Sequence, residues 1–211
     1  MSTTVRVTEA FVSLQGESTW AGLPCFFIRL SGCNLRCRYC DTRHAYEEGA
    51  ETPVSELVEA FVKSGVPLVE ITGGEPLLQP GFADLAAGLL PHGGTVLVET
   101  NGSRDLSVVP AGVIAIMDLK CPGSGESDAM DFGNIGRLRP CDEVKFVIGD
   151  RGDFEWACGL VERHHLAGRC RAVLFSPVFG ALAAGVLGEW ILAARLPVRL
   201  QLPLHKVLGI K

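Results

Sequence analysis

No run in this chain is apolar for long enough to cross a bilayer; the longest, such as VLGEWILAARL, fall well short of the roughly 20 residues required. The first 18 residues, MSTTVRVTEAFVSLQGES, lack the sustained apolar core of a signal peptide. An excess of basic charge is also missing. The net charge of −5 argues against a general binder of nucleic acid or of anionic membranes, while leaving room for a local basic pocket. Internal repeats and low-complexity tracts are absent, and with 47% hydrophobic and 20% charged residues the composition excludes disorder. What is left is a cytoplasmic enzyme or binding protein, forming one domain over residues 1–211 with a large buried core.

Cysteine is present, but not in the even pattern of a disulfide framework. Three of the eight, Cys33, Cys37 and Cys40, fall within eight positions; Cys25, Cys121, Cys141, Cys158 and Cys170 are scattered. Reduced thiols fit this distribution, with the scattered five read as core residues.

Short runs rich in Val, Ile, Leu and Phe alternate with amphipathic stretches. Strands are expected over 25–32, 68–74, 95–102, 113–120, 143–149, 172–178 and 198–202. Helices are expected in PVSELVEAFVKSG, GFADLAAGLLPHGG, DFEWACGLVERHHLAG and LAAGVLGEWILAARL, the first bracketed by Pro53 and Gly65. Such alternation predicts an α/β fold on a parallel sheet. A full eight-stranded barrel takes about 250 residues. The expectation is therefore an incomplete, open (β/α) barrel of about six core parallel strands with reduced helical cover. The polar strand ends TGGEP, ETNG, DLKCPGSG and FSPVFG should share one face, where parallel α/β folds bind ligands.

The C-x-x-x-C-x-x-C spacing of Cys33, Cys37 and Cys40 can hold three irons of a [4Fe-4S] cluster and leave the fourth open. A zinc site completed by a distant ligand, such as His44 or another cysteine, is the alternative. In TGGEP, two glycines permit close backbone approach and Glu75 offers an acceptor for an ammonium group. The cysteine loop followed by this motif resembles the radical S-adenosylmethionine superfamily, in which the open iron binds S-adenosylmethionine.

FVSLQGES, PCFFIRLSGCNLRC, YCDT, ITGGEPLLQ, ETNGS, DLKCPGSGE, DEVKFVIGDR, FSPVFG and RLQLPLHK occur in the order that resembles the 7-carboxy-7-deazaguanine synthases, across nearly the whole chain. That resemblance implies a carbon–nitrogen lyase. It would convert 6-carboxy-5,6,7,8-tetrahydropterin to 7-carboxy-7-deazaguanine with loss of ammonia, in the pathway to queuosine and related 7-deazapurines. It also implies S-adenosylmethionine, a [4Fe-4S] cluster and Mg²⁺ as cofactors, a homodimer, and an electron donor such as flavodoxin or ferredoxin. The radical is generated on S-adenosylmethionine, so no catalytic side chain is assigned.

By the same resemblance Thr42 is the Mg²⁺ ligand, and Leu14, Gln15, Gly16, Glu17, Arg29, Thr100, His205, Lys206 and Lys211 contact the substrate. Arg29 would take the substrate carboxylate. The resemblance places Tyr39, Cys40, Asp41, Gly73, Gly74, Glu75, Gly102, Lys120, Ser124, Lys145 and residues Ser176, Pro177, Val178 and Phe179 at S-adenosylmethionine. The chain departs from the family's usual ending: Pro203 precedes Leu204-His205-Lys206 and the terminal Trp is missing. A glycyl-radical activase, acting on a protein loop, would share the cysteine motif; a zinc-binding module without catalysis is the reading from another class.

Overall fold

Strand β2 (Pro24–Leu30) alternates between two apolar environments. Phe26, Ile28 and Leu30 join the large outer cluster, while Cys25 and Phe27 belong to a smaller inner one with Leu68, Leu97 and Ile116. A strand presents successive side chains to opposite faces, so a continuous apolar run marks a sheet covered on both sides. The same phase governs β4 (Leu68–Gly73), β5 (Thr95–Thr100), β6 (Val113–Asp118), β7 (Glu143–Ile148) and β8 (Ala172–Pro177). These six strands and the two-residue β9 (Arg199–Leu200) are parallel in the computed structural model, which describes residues 3–211.

The expected strands all form, each ending one or two residues sooner than expected. Two further strands make the sheet mixed. β1 (Thr4–Leu14) runs antiparallel to β2, and β3 (Ala50–Pro53) antiparallel to β1. The sheet order is β3-β1-β2-β4-β5-β6-β7-β8-β9, an open barrel whose edges are β3 and β9. Strand β1 escapes a search for continuous apolar runs because it carries Arg6, Thr8, Glu9 and Ser13. One face of an antiparallel strand tolerates water.

The helices cover the outer face. In α1 (Val54–Ser64), Leu57 and Phe61 lie four residues apart on the buried side, and Gly65 ends the helix in the left-handed region at φ 67°. Helix α2 (Phe82–Leu89) buries Phe82, Leu85, Ala86 and Leu89. For α3 (Arg151–His164) the Asp150 side chain caps the N-terminus by accepting from the Asp153 amide at 2.9 Å. Helix α4 (Ala184–Ala194) and the short α5 (Leu204–Leu208) finish the chain. The long connection after β6 is organised as three 3₁₀ turns, Pro122–Ser124, Ser127–Ala129 and Phe132–Gly136.

The segment after β1 laces the open barrel. Gly16 O accepts from Leu204 N at 2.8 Å, Ser18 N donates to Gln201 Oε1 at 2.9 Å, and Thr19 N donates to Glu143 Oε2 at 3.0 Å. A side chain at Gly16 would collide with the His205 imidazole, so glycine permits this crossing.

Candidate active site

The carboxyl ends of the strands surround a cavity of about 710 Å³. Its walls come from β1 and β2, from the ends of β4 through β8, from the cysteine loop, and from the C-terminal segment 203–211.

Cys33, Cys37 and Cys40 are free and line one wall. Asn101 Nδ2 donates to Cys33 Sγ at 3.8 Å, and Cys40 N donates to Cys37 O at 3.2 Å. Burial raises Cys37 to about 11 despite the nearby Lys120 ammonium, so ligation of a cationic metal centre would have to draw off its proton. Among the described residues, no three Cys, His, Asp or Glu side chains gather tightly enough for a single metal ion. Three thiols sharing a wall without converging suit a cluster, in which each thiolate binds a different iron.

The loop is held by the two strand ends beside it. Gly74 N donates to Leu30 O at 3.0 Å and Glu75 N to Gly32 O at 2.8 Å. A Cβ at Gly73 or Gly74 would strike the backbone of Leu30 or Gly32, so the glycine pair permits packing of backbone against backbone. Glu75 faces inward to protein. Its carboxylate accepts from Leu77 N at 3.0 Å, Thr100 Oγ1 at 2.8 Å and Asn101 N at 2.6 Å. Glu75 is fully buried, and these bonds clamp β4 to the ETNG turn that holds Cys33.

Three more expected contacts lie behind the wall. The Gln15 amide is buried against Glu70; Gly102 makes room for Met117 and the Asp118 carbonyl; and the buried Ser124 hydroxyl donates to Cys121 O at 2.6 Å. The remaining expected residues line the cavity: Leu14, Gly16, Glu17, Arg29, Tyr39, Asp41, Thr42, Gly73, Gly74, Thr100, Lys120, Lys145, the 176–179 segment, His205, Lys206 and Lys211.

The opposite wall is charged. Lys145 Nζ donates to Glu17 Oε2 at 2.5 Å and also pairs with Glu99; Asp118 Oδ2 lies 3.6 Å away and accepts from Lys120 Nζ at 2.7 Å. Burial disfavours the Lys145 charge, but Glu17, Glu99 and Asp118 outweigh it and raise its pKa well above the ordinary value. Burial likewise opposes the Asp118 charge, yet Lys120 and Lys145 keep it below the usual range. Asp118 Oδ1 is buried with no partner among the described residues, so this wall carries an acceptor ready for a ligand hydroxyl or ammonium.

Near the mouth, Arg29 Nε donates to Glu9 Oε1 at 2.8 Å, with His44 Nε2 at 3.5 Å and Lys211 also on Glu9. Thr42 Oγ1 donates to Asp41 Oδ1 at 3.0 Å, and Lys206 Nζ holds Asp41 Oδ2 at 2.7 Å. The Tyr39 hydroxyl donates to Val147 O at 3.4 Å, tying the cysteine loop to β7.

Glu9, Glu70, Thr72, Glu99, Asn101 and Asp118 also belong to this site, and the motifs did not mark them. Their signal was the alternation itself: Glu70, Thr72, Glu99 and Asp118 are polar residues at the inward phase of otherwise apolar strands.

Comparison with known proteins agrees with this architecture. Residues 27–118 match the model of the Radical SAM superfamily. The chain is 41% identical to the 7-carboxy-7-deazaguanine synthase of Koribacter versatilis, with 96% of each chain covered. It is 42% identical to the 7-carboxy-7-deazaguanine synthase of Chlorobaculum tepidum, over 96% of this chain and 93% of the relative. Its fold is similar to the crystal structure of QueE from Escherichia coli, with a TM-score of 0.75 at 23% identity, covering 94% and 93% of the two chains.

Proposed function

Since the chain belongs to the 7-carboxy-7-deazaguanine synthases of the radical SAM superfamily, we propose how its own residues carry the reaction of that family. The enzyme converts 6-carboxy-5,6,7,8-tetrahydropterin to 7-carboxy-7-deazaguanine and ammonia. The observation that carries the site assignment is that the cysteine wall, Arg29 and the Glu17–Lys145–Glu99 group line one cavity.

Cys33, Cys37 and Cys40 hold the cluster, Thr42 serves the Mg²⁺ ion, and Asp118 and Lys120 face S-adenosylmethionine. Bound together, the cluster and S-adenosylmethionine supply the radical that removes a hydrogen atom from the substrate. Arg29 binds the substrate carboxylate. Its Nε is already fixed by Glu9, which leaves the outer edge of the guanidinium for a second carboxylate. Glu17 and Glu99, paired with Lys145, accept from the amino and ring N–H donors of the pterin. His205 and Lys206 cover the pocket from the C-terminal segment, which the Leu204 N–H anchors to Gly16 O.

Beyond this chain we assign a homodimer, a one-electron donor of the flavodoxin or ferredoxin kind, and a cytoplasmic setting. No helix among the described residues is long and apolar enough to cross a membrane.

Anaerobic reconstitution and reduction test the assignment. The expected protein is brown, with about four irons per chain, and turns over the carboxy-tetrahydropterin with ammonia release. Cys37→Ala should lose iron and S-adenosylmethionine cleavage together. A colourless, zinc-loaded protein without turnover would overturn the reading.

A further inference from the structure

Below the ring of charges lies a carboxyl to which the assignment above gives no task. On β4, Leu68 joins the inner apolar cluster, and Glu70 and Thr72 reach the cavity; Val69 and Ile71 point outward. Glu70 therefore sits one layer beneath Thr72, in register with Phe27 of β2 and Leu97 of β5. It is 3% exposed, yet it borders the cavity.

Its neighbours on the inner face are Cys25, Phe27, Leu68 and Leu97, poor surroundings for an ionised carboxylate. Burial, and then the Glu99 and Glu17 charges, drive its pKa well above the ordinary value, with Lys145 and Arg29 opposing. A neutral carboxyl is a donor as well as an acceptor. One of its oxygens accepts from the Gln15 amide, whose own oxygen takes the Glu17 N–H at 2.6 Å. Gln15 thus seats Glu70 from one side and orients the backbone of Glu17 from the other.

The pocket consequently offers two kinds of hydrogen-bonding group. Glu17 and Glu99, tied to Lys145, are acceptors. Glu70 is a donor next to them. The pyrimidinone edge of a pterin has the complementary order, with amino and ring N–H donors beside a carbonyl acceptor. We propose that Glu70 is a specificity-determining residue, whose carboxyl, seated on the Gln15 amide, donates a hydrogen bond to the 4-oxo group of the substrate. This rests on the pterin reading above and adds a contact at a position that no sequence motif marks.

Two unreactive ligands separate the possibilities: 6-carboxypterin, and the analogue in which a 4-amino donor replaces the 4-oxo acceptor. Their dissociation constants should be measured by fluorescence on the reconstituted holoenzyme with S-adenosylmethionine bound. Wild type should prefer the oxo compound by tenfold or more. Glu70→Met, which fills similar volume without a donor, should lower that ratio several-fold, the remainder reflecting the ring N–H that the amino compound lacks at Glu17 and Glu99, and Glu70→Gln, which keeps an N–H donor, should retain it. Thermal melts of all three report on folding. An oxo preference undiminished in a folded Glu70→Met protein would sink the proposal and leave the pterin assignment standing. Failure of wild type to bind 6-carboxypterin or to turn over the tetrahydropterin would instead overturn the assignment itself.

Discussion

The two faces of the same strands do opposite work. On β4, Val69 and Ile71 are fully buried against helices, while Glu70 and Thr72, their immediate neighbours, border a ligand cavity. On β7, Phe146 packs edge-on against Phe175 at 5.5 Å, and Lys145 beside it holds three carboxylates. The outer face supports the fold through volume and shape. The inner face supports a site through charge balance. A one-residue slip in strand register would exchange the two sets, so the outer packing is what fixes the inner chemistry.

The sharpest way to break this division is Lys145→Met. It leaves Glu17, Glu99 and Asp118 facing one another with only Lys120 to compensate, and loss of one partner from a buried charge group costs about 3–5 kcal/mol. Chemical denaturation should show that loss, together with a collapse of pterin binding.

Ile71→Ala tests the other face. A buried Ile-to-Ala truncation costs about 2–5 kcal/mol, and here it should lower the melting temperature while leaving the substrate KM unchanged at temperatures where the protein stays folded. A large change in KM would show that the faces are not separable.

The smallest effect should come from pH. Glu70 has its folded-state pKa raised well above 4.5, so above that value the native state binds more protons at this site than the unfolded chain. Its contribution to stability is present at acid pH and is lost as pH rises toward the folded-state pKa. Melting curves of wild type and Glu70→Gln from pH 5 to 8 should therefore diverge, with wild type losing stability relative to the variant. Parallel curves would indicate that Glu70 is ionised and that the inner face tolerates a further charge.

Much of the fold was legible because the signals are local. Short runs rich in Val, Ile, Leu and Phe marked the parallel strands, and Pro53 and Gly65 marked the ends of α1. β1 was not legible, since its polar alternation resembles a surface segment until β2 and β3 pair with it. The site divided in the same way. Cys33, Cys37 and Cys40 are close in sequence and could be read from spacing. Glu75 could be located but not interpreted, because its ligands Thr100 and Asn101 lie 25 and 26 residues away.

The sequence by itself determined the family, the three thiols of the cluster loop and the alternating order of strands and helices, all carried by short spacings and composition. Only the tertiary structure decided which residues face the cavity. It made Glu75 an internal clamp and laced the open barrel by binding Gly16, Ser18 and Thr19 to distant backbone and side chains. It also set the Gln15 amide on Glu70, 55 positions along the chain. The physical reason is common to all of these. Burial, register and partner choice arise from contacts between segments far apart in sequence, and those contacts convert a polar residue in an apolar strand into part of a site.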